Sequence, residues 1–474
     1  MDEQTGSGPA NAGAPGNAER IRQQYQYRSI SLIKAFACIT VVVAHWKAFF
    51  ASMGSPGIDS LVFEGPLVLL IYSSMGVSIF LMLSAALAGL KVYRGQRIHA
   101  GREVLKRYIR LSIPIFVTSL TVFCLQKAGL IFTSEAGALL GNDFVAGLYA
   151  APLKAWDLFR ISFFTALLRE ENSFYVPFWM MSYIFLGSLV SMALSFVIRS
   201  LGNAGKAAVF GFLILGMSFL DSYYLCITLG NLIAYLLSES EKRGLLGIEI
   251  HSDAGNGKRT LLIVAAVLLL IFGMWFSTKA YVIAWNVNAA GIGAPLNDSW
   301  FWQVIAGFCI CIGFIWGWEL LFAARGQTKA ACNYAKSLPQ SGGAFDGNVY
   351  AASNEAEQKP FSRRKGCMST GLIGWIRCII HWIGSFINWI GNISYEIFLT
   401  HWFIFSSFSC LFYLKSAHMH MHVSILLNFA LTFVLILLCS AVYHELITKR
   451  LCARLAGYLE RKLTDDSRDR NNSY

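Results

Sequence analysis

Apolar runs of about twenty residues, parted by polar stretches, recur from about residue 30 to residue 447. Each is long enough to cross a hydrocarbon core of roughly 30 Å as a helix. A soluble chain of this size would show amphipathic periods instead. Ten spans can be drawn, at about 30–50, 66–90, 111–131, 174–198, 205–220, 222–238, 260–279, 300–323, 392–413 and 424–447. The fifth and sixth are short and nearly continuous. The pattern predicts an all-α polytopic membrane protein, a bundle of about ten transmembrane helices.

The polar stretches set the organisation. Residues 1–27 open with "MDEQTGSGPANAGAPGNAER", polar and rich in Gly, Ala and Asn, and read as a disordered tail without the basic start of a signal peptide. Spans one to eight occupy 28–323. Residues 324–370, with "SLPQSGGAFDGNVYAASNEAEQKP", read as a disordered loop. Residues 371–447 hold spans nine and ten, preceded by the Trp-rich "GLIGWIRCIIHWIGSFINWI", which reads as a helix lying at the membrane interface. Residues 448–474 are a basic tail. No internal repeat is visible, which weighs against a transporter built from inverted halves.

Composition agrees: 55% of the 474 residues are hydrophobic, 14% are charged, and the mean hydropathy is +0.52. The net charge of +12 does not point to nucleic acid, because the basic residues flank apolar spans. Residues 91–110 carry Lys91, Arg94, Arg97, Arg102, Lys106, Arg107 and Arg110 against Glu103 alone. Residues 51–65 carry Asp59 and Glu64 and no base. The bias places both termini, the 324–370 loop and the basic tail in the cytoplasm. The eleven cysteines are scattered and form no CxxC pair, so neither a disulfide framework nor a zinc site is expected.

Chemistry enters with "KAFACITVVVAH", where Lys34 and His45 bracket ten uncharged residues. Eleven helical residues advance about 1100°, so the two share a face about 16 Å apart. Lys34 has a bland alternative, snorkelling to the headgroups. His45 has one as well, a structural bond to a neighbouring helix, but ionisable groups within a span usually face a partner or cavity. In "LKRYIRLSIP", Arg107 and Arg110 stand three apart on one face, as positive-inside charges or as a phosphate-binding pair. "GNISYEIFLTHWF" places Ser394 and His401 on one stripe with Tyr395 and Glu396 beside it. The alternating His418, His420 and His422 read as a solvated loop rather than a metal site.

These segments resemble acyltransferase family 3, polytopic membrane acyltransferases that O-acylate sugars and polysaccharides. "KAFACITVVVAH" fits its basic-residue, ten-residue, His pattern, and "GVSIFLMLSAALAGL", which holds Ser84, is similar to its second-span segment. "KRYIRLSIP" matches Arg-x-x-Arg-x-x-x-Pro, "VPFWMMSYIFL", which holds Trp179, resembles its Pro-Leu-Trp span, and "GNISYEIFLTHWF" matches the late Gly-x-Ile-Ser-Tyr segment. The chain departs from the pattern at Lys34 for the commoner Arg, Ala85 for Gly and Phe398 for Tyr, and no carboxylate follows Trp179.

The resemblance implies a cytoplasmic acyl-CoA co-substrate, most often acetyl-CoA, with no permanently bound cofactor and no metal. The acceptor would be a hydroxyl of a cell-envelope or exported glycan, or a lipid-linked sugar. It implies His45 as general base, Lys34 helping to place the thioester, Arg107 and Arg110 on the donor phosphates, and Ser84, Trp179, Ser394, Tyr395, Glu396 and His401 around the substrate. A bacterial plasma membrane is the expected location, and a separate extracytoplasmic acyl-accepting protein would serve a two-stage relay. Two other classes remain: a carrier with Lys34, His45 and Glu396 on its pathway, and a non-catalytic membrane partner.

Overall fold

The computed structural model describes residues 17–50, 73–96, 98–170, 174–243, 253–318, 372–416 and 418–458. These form helices and their connections, with no strand among them. Nine of the helices are long and apolar enough to cross a membrane. The 324–370 loop falls outside the described residues.

Helix α1 (Asn17–Phe50) starts inside the segment read as a tail, because the polar "NAERIRQQYQYR" continues the helix without a Gly or Pro to stop it. α2 is Ser73–Tyr93 and α3 is Ala100–Lys127, the latter beginning well before residue 111 because its basic first turns are helical too. Three short helices follow: α4 (Thr133–Leu140), α5 (Asp143–Gly147) and α6 (Ala155–Arg160). α7 (Trp179–Ser200), α8 (Asn203–Leu220), α9 (Ser222–Arg243), α10 (Asp253–Ala289) and α11 (Ser299–Trp318) complete the first part of the bundle. The nearly continuous run at 205–238 divides at Asp221, whose carboxylate accepts the Tyr223 N–H at 2.6 Å and so starts α9. α9 is as long as α7 but ends in the charged "SESEKR", which keeps it out of the nine. With α9 counted, ten of the described helices correspond to the ten expected spans.

α12 (Leu372–Asn392) packs along α1, while Ile379, Trp382, Ile383, Phe386 and Trp389 form an exposed apolar stripe. Ser31 fastens it by donating to Asn388 O at 2.9 Å and Asn392 Oδ1 at 3.0 Å. α13 (Ser394–Lys415) contains a π-helical stretch at Phe405–Ser409. α14 (Met421–Tyr443) also passes into a π-helical stretch, at His444–Cys452, carrying the helix beyond its expected end at 447.

α2 is the centre of the bundle, touching α1, α7, α9 and α11. Without a hydrophobic drive between helices in lipid, small residues and hydrogen bonds hold such a contact. At Gly76 a Cβ would stand 2.7 Å from the Ala37 carbonyl, so α1 and α2 could not approach with any side chain there. On the other flank Asn231 accepts from Tyr93 Oη at 2.7 Å and donates to Ser191 O at 2.8 Å and Ser195 Oγ at 2.7 Å. This network ties α2, α7 and α9 together with its polar groups satisfied.

Pro114 interrupts α3 without ending it. Lacking an N–H, it leaves the Arg110 carbonyl without its helical donor. Nearby carbonyls draw donors from other helices: Tyr395 Oη reaches Leu111 O at 3.3 Å, and Tyr443 Oη donates to Pro114 O. These bonds tie α3 to α13 and α14, just beyond the Arg107–Arg110 pair.

Candidate active site

Lys34, Arg107 and Arg110 converge from α1 and α3 on one cavity of about 490 Å³. Lys91, Arg94 and Lys106 also line it, against Glu103 as the single acid, which pairs with Lys91 at 2.6 Å. Arg107 reaches Ser84 O and Oγ at 3.4 Å, so Ser84 orients a guanidinium. Arg110 is exposed, and Lys34 makes no hydrogen bond among the described residues. The cavity extends from Arg94 and Gln96 to Phe80, fourteen residues back along α2 and thus about 21 Å deeper. Its deep wall is apolar, with Phe80, Met180, Ile184 and Phe398.

Ser394 and Tyr395 line this cavity; Glu396, His401 and Trp179 do not. Glu396 lies about 200° round α13 from Ser394 and therefore faces the other way. There it is buried, its Oε1 accepting from His444 Nδ1 at 2.8 Å and Thr448 Oγ1 at 2.6 Å. Trp179, one residue from the lining Met180, packs instead on Tyr223 and Trp300 at centroid distances of 5.1 and 6.3 Å. His401 shares the stripe of Ser394 but lies beyond Phe398, whose ring stands 5.7 Å from its own. Phe398 thus both lines the cavity and packs on the imidazole.

Behind that wall, His45 and His401 are partners. His45 Nδ1 is 2.9 Å from His401 Nε2, and the rings are nearly parallel at 7°, with centroids 5.2 Å apart. His401 Nδ1 is 3.1 Å from the Ile397 carbonyl, and its side chain is wholly buried. Trp402 stands edge-on to His45 at 5.1 Å, and Phe405 edge-on to His401 at 5.5 Å. His45 itself is half-buried, and its Nε2 has no hydrogen-bond partner among the described residues.

Tyr175, which the sequence pattern did not single out, braces this turn. Its phenol donates to Leu399 O at 2.7 Å and accepts from Phe403 N at 3.3 Å, on either side of His401. Asn142 secures the far end of α1 by donating to Ala48 O at 3.0 Å. The α4–α6 segment thus lies over the histidine end of the bundle, opposite the cations. Neither residue falls in a motif; a tyrosine just before "VPFW" and an Asn before a short helix are weak signals alone.

A polytopic helix bundle with a cation-lined cavity and a hydrogen-bonded imidazole pair behind it defines the architecture of a multi-pass membrane protein. The acyltransferase-3 family model, an acyltransferase domain, matches residues 27–445, nearly the whole chain, and the chain belongs to that family. It is accordingly a multi-pass membrane acyltransferase, acting in a bilayer between an acyl donor and an acyl acceptor. No curated relative and no solved structure matches the chain.

Proposed function

We propose that the protein moves an acyl group, acetyl in the simplest case, from acyl-CoA to a hydroxyl of a cell-envelope or exported glycan. The observation that carries the donor is the cavity: among the described residues six cations surround it against one carboxylate, and that one is already paired. Cations that face a cavity within a membrane protein commonly mark the path of an anionic substrate or ion. A donor with several phosphates and an apolar arm matches both halves, its phosphates on Arg107, Arg110 and Lys34 and its arm along Phe80 and Met180. Lys34 then lies about 16 Å from His45 on the same helix, a span that an extended acyl-carrying arm covers.

In the transfer, His45 Nε2 takes the acceptor hydroxyl proton while that oxygen bonds to the acyl carbon. The C–S bond then breaks, and the imidazolium returns the proton to the leaving thiolate. On this reading the cations face the cytoplasm and the histidine pair lies toward the outer leaflet. The test uses the full chain in nanodiscs with acetyl-CoA labelled on the acetyl group, offered sugar acceptors. Labelled ester on the sugar, lost in His45→Gln, supports the reading. Solute uptake in vesicles without any acyl transfer would replace it with the carrier.

A further inference from the structure

The two histidines determine one another's protons. A backbone carbonyl only accepts, so His401 Nδ1, 3.1 Å from Ile397 O, carries a hydrogen. The other nitrogen of a neutral imidazole is then a lone pair, and His401 Nε2 accepts from His45 Nδ1 across 2.9 Å. Neutral His45 has no second proton, so its Nε2 is bare. A histidine free in water samples both tautomers; this one is held in a single tautomer by a two-bond chain anchored on the helix backbone. The near-parallel rings and the edge-on Trp402 and Phe405 resist rotation of either imidazole.

We propose that His401 is a positioning residue, which fixes His45 in the tautomer that exposes a basic Nε2, so that the pair works as a neutral histidine–histidine dyad. The inference rests on the reading of His45 as general base. A carboxylate in the place of His401 would also hold the tautomer, but it would bring a permanent charge into an apolar layer. The carboxylate of this helix, Glu396, is turned away to His444 and Thr448. When His45 accepts a proton, its Nδ1–H bond to His401 becomes charge-assisted and the Ile397 carbonyl polarises the chain further. The charge thus arises only during turnover.

The experiment compares wild type, His401→Leu and His401→Gln as full chains in nanodiscs, by transfer kinetics and by nitrogen-15 histidine NMR. The His45 resonances are those missing from His45→Gln. In the wild type they should show a protonated Nδ1 and a bare Nε2. His401→Leu should give a mixture of tautomers and lower kcat at least about tenfold, leaving KM for acyl-CoA unchanged because His401 lies outside the donor cavity. His401→Gln, whose carbonyl oxygen can accept from Nδ1–H, should recover most of the lost rate. A wild-type His45 protonated on Nε2, or a Leu variant with native kcat, would overturn the dyad. A wild type that holds the expected tautomer yet transfers no acyl group would overturn the function proposed above and leave the dyad standing, so the two readings fail separately.

Discussion

The two ends of the site on α1 are built on opposite plans. Around Lys34 the groups are numerous and mostly cationic: Lys34 has no hydrogen bond among the described residues, Arg110 is exposed, and Arg107 and Lys91 are held by Ser84 and Glu103. Around His45 the groups are few, neutral and fixed by short bonds within an aromatic box of Trp402, Phe398 and Phe405. A cluster of cations gains affinity from summed charge and tolerates motion of the ligand, whereas proton transfer requires one atom at one place. Binding and chemistry therefore ask for different local stiffness, and on the proposed function the two are separated along one helix.

The comparison is tested hardest at His45. If the proton acceptor is there, His45→Ala should reduce transfer by about 10²–10⁴-fold while acyl-CoA still binds. The measurement is transfer rate beside calorimetric binding of CoA. Comparable loss of both would erase the separation. At the other end, Arg110→Ala should raise KM for acyl-CoA on the order of tenfold with kcat little changed, because phosphate contacts act in ground and transition states alike. The effect should fade in high salt, as expected of a site held by exposed charge. A drop in kcat alone would place Arg110 in the chemistry.

A smaller effect, in a third place, calibrates both. Asn231→Ala strips the hydrogen bonds joining α2, α7 and α9, far from either end. At a few tenths of a kcal/mol or more for each bond in a membrane, the loss should be about 1–2 kcal/mol. It should appear as a lower unfolding temperature in detergent, with KM for acyl-CoA unchanged.

Much of this arrangement could be read from the residues. Spacing alone placed Lys34 and His45 on one face, and the cavity does gather Lys34, Arg107, Arg110, Ser84, Ser394 and Tyr395. Periodicity gives angle about a helix but not which stretch of a stripe meets which neighbour. Hence Ser394 and His401, a stripe apart by about two turns, fall on opposite sides of Phe398. Glu396 faced away because two residues along a helix is about half a turn. The brace by Tyr175 and the extension of α14 through a π-helical stretch depend on tertiary contacts, which leave no local pattern.

Phe398 has a consequence for the membrane as a whole. A cation-rich vestibule on one side and an imidazole pair on the other, joined by a hydrated path, would be a route for protons down the membrane potential. Phe398, 4% exposed, lines that vestibule and packs on His401, and on the proposed function it would act as a septum for water and protons while the donor is absent. On the proposed function it separates the charged vestibule from the imidazole nitrogens assigned to proton transfer. A cell can then keep many copies of such a protein in an energised membrane without short-circuiting it.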